Sequence, residues 1–175
     1  MPTPINSVIS RLIPAVFNPH VENTPPAASP TERFPDVFVA EAQRTDIPSR
    51  SYDRQLGEAL ARSAEQEAKG RGTVGWCYNA VADAVERQTG RFLWGGHAYQ
   101  SADQFAARTK QFREVPARDL DQLPPGAIVV WGKGTSKSGH ISVALGDGRE
   151  ASDHIAPQML SHYGGAPARV FIPIR

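Results

Sequence analysis

The 175-residue chain carries one cysteine, two methionines and no apolar run approaching the roughly 18 to 20 residues that a bilayer-spanning helix needs. A single thiol excludes an intramolecular disulfide and leaves the redox compartment open. Charge of one sign is also lacking: 19 Lys and Arg against 18 Asp and Glu give a formal net charge of +1. That balance gives no reason to expect nucleic acid or a membrane as a partner. The N-terminus, MPTPINSVISRLIPAVFNPH, has no basic start, and Arg11 and Pro14 break its apolar run, so it does not read as a standard signal peptide. No GxGxxG, phosphate loop, GxSxG elbow, CxxC or HExxH occurs, and no cofactor is expected.

What is present divides near residue 50. Nine of the fifteen prolines fall in residues 1–50, densest in NTPPAASP, and such a segment cannot bury enough apolar surface to order itself. It reads as a flexible leader or a secretion or chaperone-binding segment, with FPDVFVAEA able to dock as a short arm. Residues 51–175 carry regular periodicity, and 40% hydrophobic with 21% charged residues overall fits a soluble globular domain. Tyr52, Leu56, Ala59, Leu60, Ser63 and Ala64 share one helical face that ends by Gly70 and Gly72. A second helix starts near Cys77, with Val81, Ala84 and Val85 on its stripe, and stops at Gly90. A third is expected through Ala98, Ala102, Phe105, Thr109 and Phe112. After LPPG the period changes to strands at 127–131, 140–145, 149–154 and 169–174. Helices followed by strands predict an α+β fold with the helices packed on an antiparallel sheet.

The lone cysteine stands in TVGWCYNAVADAV, at a predicted helix start. Taken alone, a cysteine on an apolar stripe is a small buried hydrophobe. A nucleophilic thiol needs its ordinary pKa, near ~8.5, lowered, and a helix N-terminus and a neighbouring imidazolium both do that. Gly75 would allow a sharp turn before the helix, and Trp76 would wall a cleft. Downstream, GHISVALGDGREASDH holds two histidines and an aspartate on a predicted hairpin. Read as a two-residue turn at Asp147-Gly148, it pairs Ala144 with Ala151 and Ser142 with Asp153. His140, Ser142, Ala144, Ala151 and Asp153 then point to one side, with Asp153 in reach of His140 and two small residues admitting the Cys77 helix. A three-residue loop would shift the register by one and favour His154 instead. Zinc held by Cys77, His140, Asp153 and His154 is chemically possible but lacks a close-spaced ligand pair. His97, beside Gly96 in LWGGHAYQ, reads as a loop histidine on a cleft rim. GKGTSKSG, which contains Ser138, reads as a mobile loop above the site. His20 and His162 receive no role.

The order of Cys77 at a helix start, PPGAIVVWGKG and SGHISVALGDGREASD resembles the papain-like peptidoglycan cysteine peptidases of the NlpC-type and CHAP superfamily over roughly residues 51–175. WGGHAYQSADQF is similar to the segment between cysteine and histidine in secreted amidase effectors. The resemblance implies an enzyme with a Cys77-His140-Asp153 triad that cleaves amide bonds in peptidoglycan stem peptides. It implies substrate contacts from Trp76, Tyr78, Gly96, His97 and Ser138, with the Cys77 amide meeting the oxyanion and a second donor from Tyr78 or the preceding loop. The partners implied are a peptide or protein substrate and an immunity protein or secretion chaperone. Export without a signal peptide, to act in the periplasm or a target cell, follows from the same likeness. A host-directed cysteine protease, deamidase or acyltransferase, and a non-catalytic binding module on the same scaffold, are the alternative readings.

Overall fold

The computed structural model describes residues 52–175. The expected leader and the FPDVFVAEA arm lie outside the described residues. Helix α1 spans Arg54–Arg71: Asp53 caps it by accepting from the Leu56 amide at 3.0 Å, and the Gly72 N–H closes on the Ala68 carbonyl. Its buried residues, among them Leu60, Ala61, Ala64 and Ala68, recur at three- and four-residue spacing and face α2, Cys77–Thr89. Ser63 donates to the Ala84 carbonyl at 2.9 Å, and Glu67 takes Arg71 from its own helix and Arg87 from α2. A single 3-10 turn at Ala98–Gln100 leads into α3, Ser101–Ala107.

Six strands follow: β1 Phe112–Val115, β2 Ile128–Trp131, β3 His140–Ala144, β4 Arg149–Ala151, β5 Ile155–Pro157 and β6 Ala168–Pro173. They form one antiparallel sheet in the order β1-β6-β2-β3-β4-β5. The face bearing Ile128, Val130, Ile141, Val143, Ala151 and Phe171 packs on the helices. The opposite face gathers Val129, Trp131, Ala144, Val170 and Ile172 beneath Leu120, Leu123 and Met159. Alternation along each strand therefore serves two apolar layers at once, which is why IVVW is buried at every position.

Helix α1 lies so close to the Pro-Pro-Gly turn before β2 that its crossing point is glycine on both sides. A Cβ on Gly57 would sit 2.2 Å from the Tyr52 hydroxyl and 2.5 Å from the Pro125 carbonyl, and one on Gly126 only 2.3 Å from the Gly57 carbonyl. Tyr52 seals the junction by donating to Pro125 at 2.6 Å, and burial pushes its hydroxyl pKa up to about 12.

Helices on an antiparallel sheet are as expected, but three local expectations are corrected. The third helix stops at Ala107, because Gln111 and Phe112 turn their amides onto the Arg108 carbonyl and Phe112 starts β1. Pairing of Phe112 with Pro173 and Val115 with Val170 overrides the helical spacing of that segment. The strand expected over 149–154 ends at Ala151, and a bend separates it from β5. The β3–β4 hairpin also has a three-residue loop. Leu145 donates to the Arg149 carbonyl, and Gly146 and Gly148, at φ 86° and 80°, flank Asp147. Ala144 consequently pairs with Glu150, and Val143 with Ala151. A Cβ at Gly146 would also meet Pro125 Cδ at 2.7 Å, so the wider loop is built into the neighbouring turn.

Candidate active site

That one-residue shift decides which carboxylate meets His140. With Ala144 opposite Glu150, the residues on His140's face are Ser142, Ala144 and Glu150, whereas Ala151 belongs to the helix face. Glu150 reaches along the strand and places Oε1 3.2 Å from His140 Nε2. Its other oxygen accepts from Ser142 Oγ at 2.9 Å, Gln158 Nε2 at 2.6 Å and the Met159 amide at 3.1 Å. A carboxylate only 3% exposed is thereby fully engaged, as burial of that charge demands.

Cys77 is the first residue of α2 and is half-buried. It is close enough to the His140 imidazole to act on it electrostatically and to raise its pKa. His140 opens β3, across the ladder from Trp131, so the helix start and the strand start converge at one end of the sheet. Burial pushes the His140 pKa down, but the hydrogen bonds and negative charges of Cys77 and Glu150 outweigh it and raise the value from its ordinary 6.5 to about 9. Both neighbours favour the charged form of the imidazole near neutral pH. The first helical bond of α2 runs from the Ala80 amide to the Trp76 carbonyl at 3.1 Å. The amides of Cys77, Tyr78 and Asn79 therefore have no acceptor within the helix.

Asp153, the expected partner of His140, is placed elsewhere. The slipped register turns it to the helix side, where Oδ2 accepts from the Trp76 amide at 2.6 Å and Oδ1 meets Ser152 Oγ and His154 Nδ1 at 3.2 and 3.1 Å. His154, the alternative third residue, pairs with Asp153. Among the described residues no group of three or more His, Cys, Asp and Glu side chains is arranged to hold a metal ion.

The expected substrate contacts are dispersed around this centre. Trp76, 57% exposed, stands immediately before Cys77. The Tyr78 ring is buried in the helix-side core, which leaves its backbone amide as the group at the helix start. His97 Nδ1 meets Ser138 Oγ at 2.9 Å, and the Tyr99 amide donates to the Ser138 carbonyl, so the Trp94–Gln100 segment is tied to the residue that leads into His140. Gly96 donates to Gln100 Oε1 at 3.2 Å. A cavity of about 450 Å³ opens beside this segment, lined by Phe92, Trp94, Tyr99, Gln100, Asp103 and Arg108 among others. The loop expected to be mobile is pinned: Ser136 Oγ donates to the Lys133 carbonyl and accepts from the Gly139 amide, and Thr135 donates to the Gly164 carbonyl.

Two further residues near the centre, Glu150 and His162, carry no sequence motif of their own. Glu150 is aligned with His140 by the three-residue loop that glycines at 146 and 148 permit, and the Asp147-Gly148 pair points to the shorter loop instead. His162 stacks on Trp131 with ring centroids 6.0 Å apart and accepts from the Gly164 amide through Nδ1 at 3.1 Å. Burial and the His140 charge both lower its pKa. No local motif marks it, because it lies in the loop between β5 and β6 and reaches the site by stacking on Trp131, the ladder partner of His140.

A cysteine opening a helix and a histidine opening a strand, on helices layered over an antiparallel sheet, make a papain-like fold. Among solved structures, the chain is similar to one in the crystal structure of the type VI native effector-immunity complex Tae3-Tai3 from Ralstonia pickettii. The TM-score is 0.52 at 17% identity, covering 66% of this chain and 96% of that one. The selenomethionine form of the same complex matches with a TM-score of 0.51 at 18% identity, covering 64% and 97%. No protein-family model and no curated protein matches the chain.

Proposed function

We propose that the protein is a cysteine-dependent amidase acting on peptidoglycan stem peptides, delivered as an antibacterial effector. The observation that carries this reading is Cys77 at the start of α2 next to His140, whose imidazole pairs with the buried Glu150 carboxylate at 3.2 Å. The fold it shares with a chain of a type VI effector–immunity complex supports the substrate class and the delivery route. The same likeness supports an immunity protein as partner. The described residues hold no helix long and apolar enough to cross a membrane.

In this mechanism the Cys77 sulfur attacks the carbonyl carbon of the amide, forming a C–S bond and an oxyanion. The unpaired amides of Cys77 and Tyr78 stabilise that charge. Collapse breaks the C–N bond, and His140 gives its proton to the departing amine. Neutral His140 then takes a proton from water, which attacks the thioester and releases the acid and the free sulfur. Glu150 holds the ring in place and stabilises its charged form throughout, a buried acceptor's role in such triads.

Digestion of purified sacculi tests the proposal. Soluble muropeptides should appear with the wild type and fall by at least ~10³-fold with Cys77→Ala. Expression directed to the periplasm should lyse cells, whereas cytoplasmic expression should not. Intact sacculi after prolonged incubation with a folded wild-type protein would refute the substrate assignment.

A further inference from the structure

A helix that begins Trp-Cys has no acceptor of its own at its N-terminus. Trp76 occupies the N-cap position, where Ser, Thr, Asp or Asn usually serves, and makes no side-chain cap. The missing acceptor arrives from 77 residues away. Asp153 Oδ2 takes the Trp76 amide at 2.6 Å, a short charge-assisted bond, and the Asp153 backbone carbonyl takes the Thr73 amide at 3.1 Å. One residue thus grips both ends of the Thr73–Trp76 turn, all of whose members are exposed and which passes through Gly75 at φ 92°. Asp153 itself is 1% exposed, and Ser152 Oγ and His154 Nδ1 fix its second oxygen.

We propose that Asp153 is a positioning residue for the nucleophile: it clamps the exposed turn that delivers Cys77, and so sets where the sulfur stands relative to His140. It acts as the reciprocal half of a capping box, supplied from the sheet instead of from within the helix. Occupying the Trp76 amide has a second consequence. It leaves the amides of Cys77, Tyr78 and Asn79 as the first unbonded donors of the helix, which directs the oxyanion to the amides at and after the nucleophile. An untethered turn would let Cys77 drift, and displacements of about 1 Å cost up to ~10²-fold in rate. This role rests on the amidase reading for its rate consequence but not for its structural content.

The test compares Asp153→Asn with Asp153→Ala by two readouts. Asparagine retains an oxygen that can accept the Trp76 amide, whereas alanine does not. Asp153→Ala should lower kcat about 10- to 100-fold with KM within about threefold, and Asp153→Asn should restore it to within about fivefold of wild type. Hydrogen exchange read by NMR should show the Trp76 amide protected in the wild type and in Asp153→Asn but fast in Asp153→Ala, while the α1 core amides remain protected. Exchange is measurable whether or not any substrate turns over, so it stands apart from the outcome with sacculi. Wild-type kcat in Asp153→Ala, an asparagine variant as inactive as the alanine one, or a Trp76 amide still protected in Asp153→Ala would each overturn the proposal. Should Asp153→Ala not fold, Asp153→Asn alone decides: wild-type-like exchange and turnover support the clamp, and loss of either contradicts it.

Discussion

Glu150 and Asp153 lie three positions apart, are 3% and 1% exposed, and each has its oxygens engaged by several donors, yet they face opposite sides of the sheet. Glu150 lies on the side of Trp131 and Ala144 and holds the imidazole. Asp153 lies on the helix side and holds the turn before the sulfur. The difference arises from alternation along β4 combined with the bend after Ala151, and not from the chemistry of either carboxylate. Burying two acids in one short hairpin is tolerable only because each is met by donors, and the donors each one finds define its task.

Removing charge from one acid and then the other breaks the comparison most severely. Glu150→Gln should reduce turnover by roughly 10²- to 10⁴-fold in a muropeptide-release assay, because the amide neither stabilises the imidazolium nor fixes its tautomer. The same isosteric change at position 153 should be mild. Equal losses at the two positions would erase the distinction.

The pH dependence sharpens it further. His140 rises from 6.5 to about 9 on folding, so its contribution to stability is fully present below pH 6.5 and is lost as pH rises through about 9. Turnover, which needs the imidazolium as acid, should show a descending limb near pH 9. Glu150→Gln should move that limb toward lower pH, and Asp153→Asn should leave it in place.

Most of the layer arrangement was legible in the sequence. Apolar residues at three- and four-residue spacing gave α1 and α2, glycines marked their ends, and AIVVW and HISVAL gave the central strands. β1 was hidden because Phe112 continues the helical spacing of Ala102 and Phe105, and only its pairing with Pro173 shows it to be a strand. Within the candidate site, Cys77 and His140 could be read from local context, a helix start and a strand start. The acid could not, because it depends on whether the hairpin loop has two residues or three, and Asp147-Gly148 invites the shorter one. The longer loop runs Gly146 at φ 86° past Pro125 so closely that a Cβ there would meet its Cδ at 2.7 Å.

A stability change at the crossing of α1 and the Pro-Pro-Gly turn, in contact with neither acid, gives a third variant. Gly57→Ala should destabilise the fold by about 1–3 kcal/mol, seen as a lower urea midpoint, because the added methyl meets the Tyr52 hydroxyl and the Pro125 carbonyl. The activity ratio between Glu150→Gln and its parent should not change in that background. Smallest of all is His154→Ala: the side chain is 43% exposed, and its Nδ1 meets the Asp153 oxygen that Ser152 also meets. Turnover should stay within about twofold, since the half-exposed ring leaves an oxygen that Ser152 still meets and water can reach.

The proposed mechanism needs the His140 imidazole charged by its neighbours Cys77 and Glu150, and its titration followed by NMR reads that directly. The predicted midpoint is about 9 in the wild type, falling toward the ordinary 6.5 in Glu150→Gln and unchanged in Asp153→Asn. A wild-type midpoint near 6.5, or a fall produced by Asp153→Asn and not by Glu150→Gln, would contradict it.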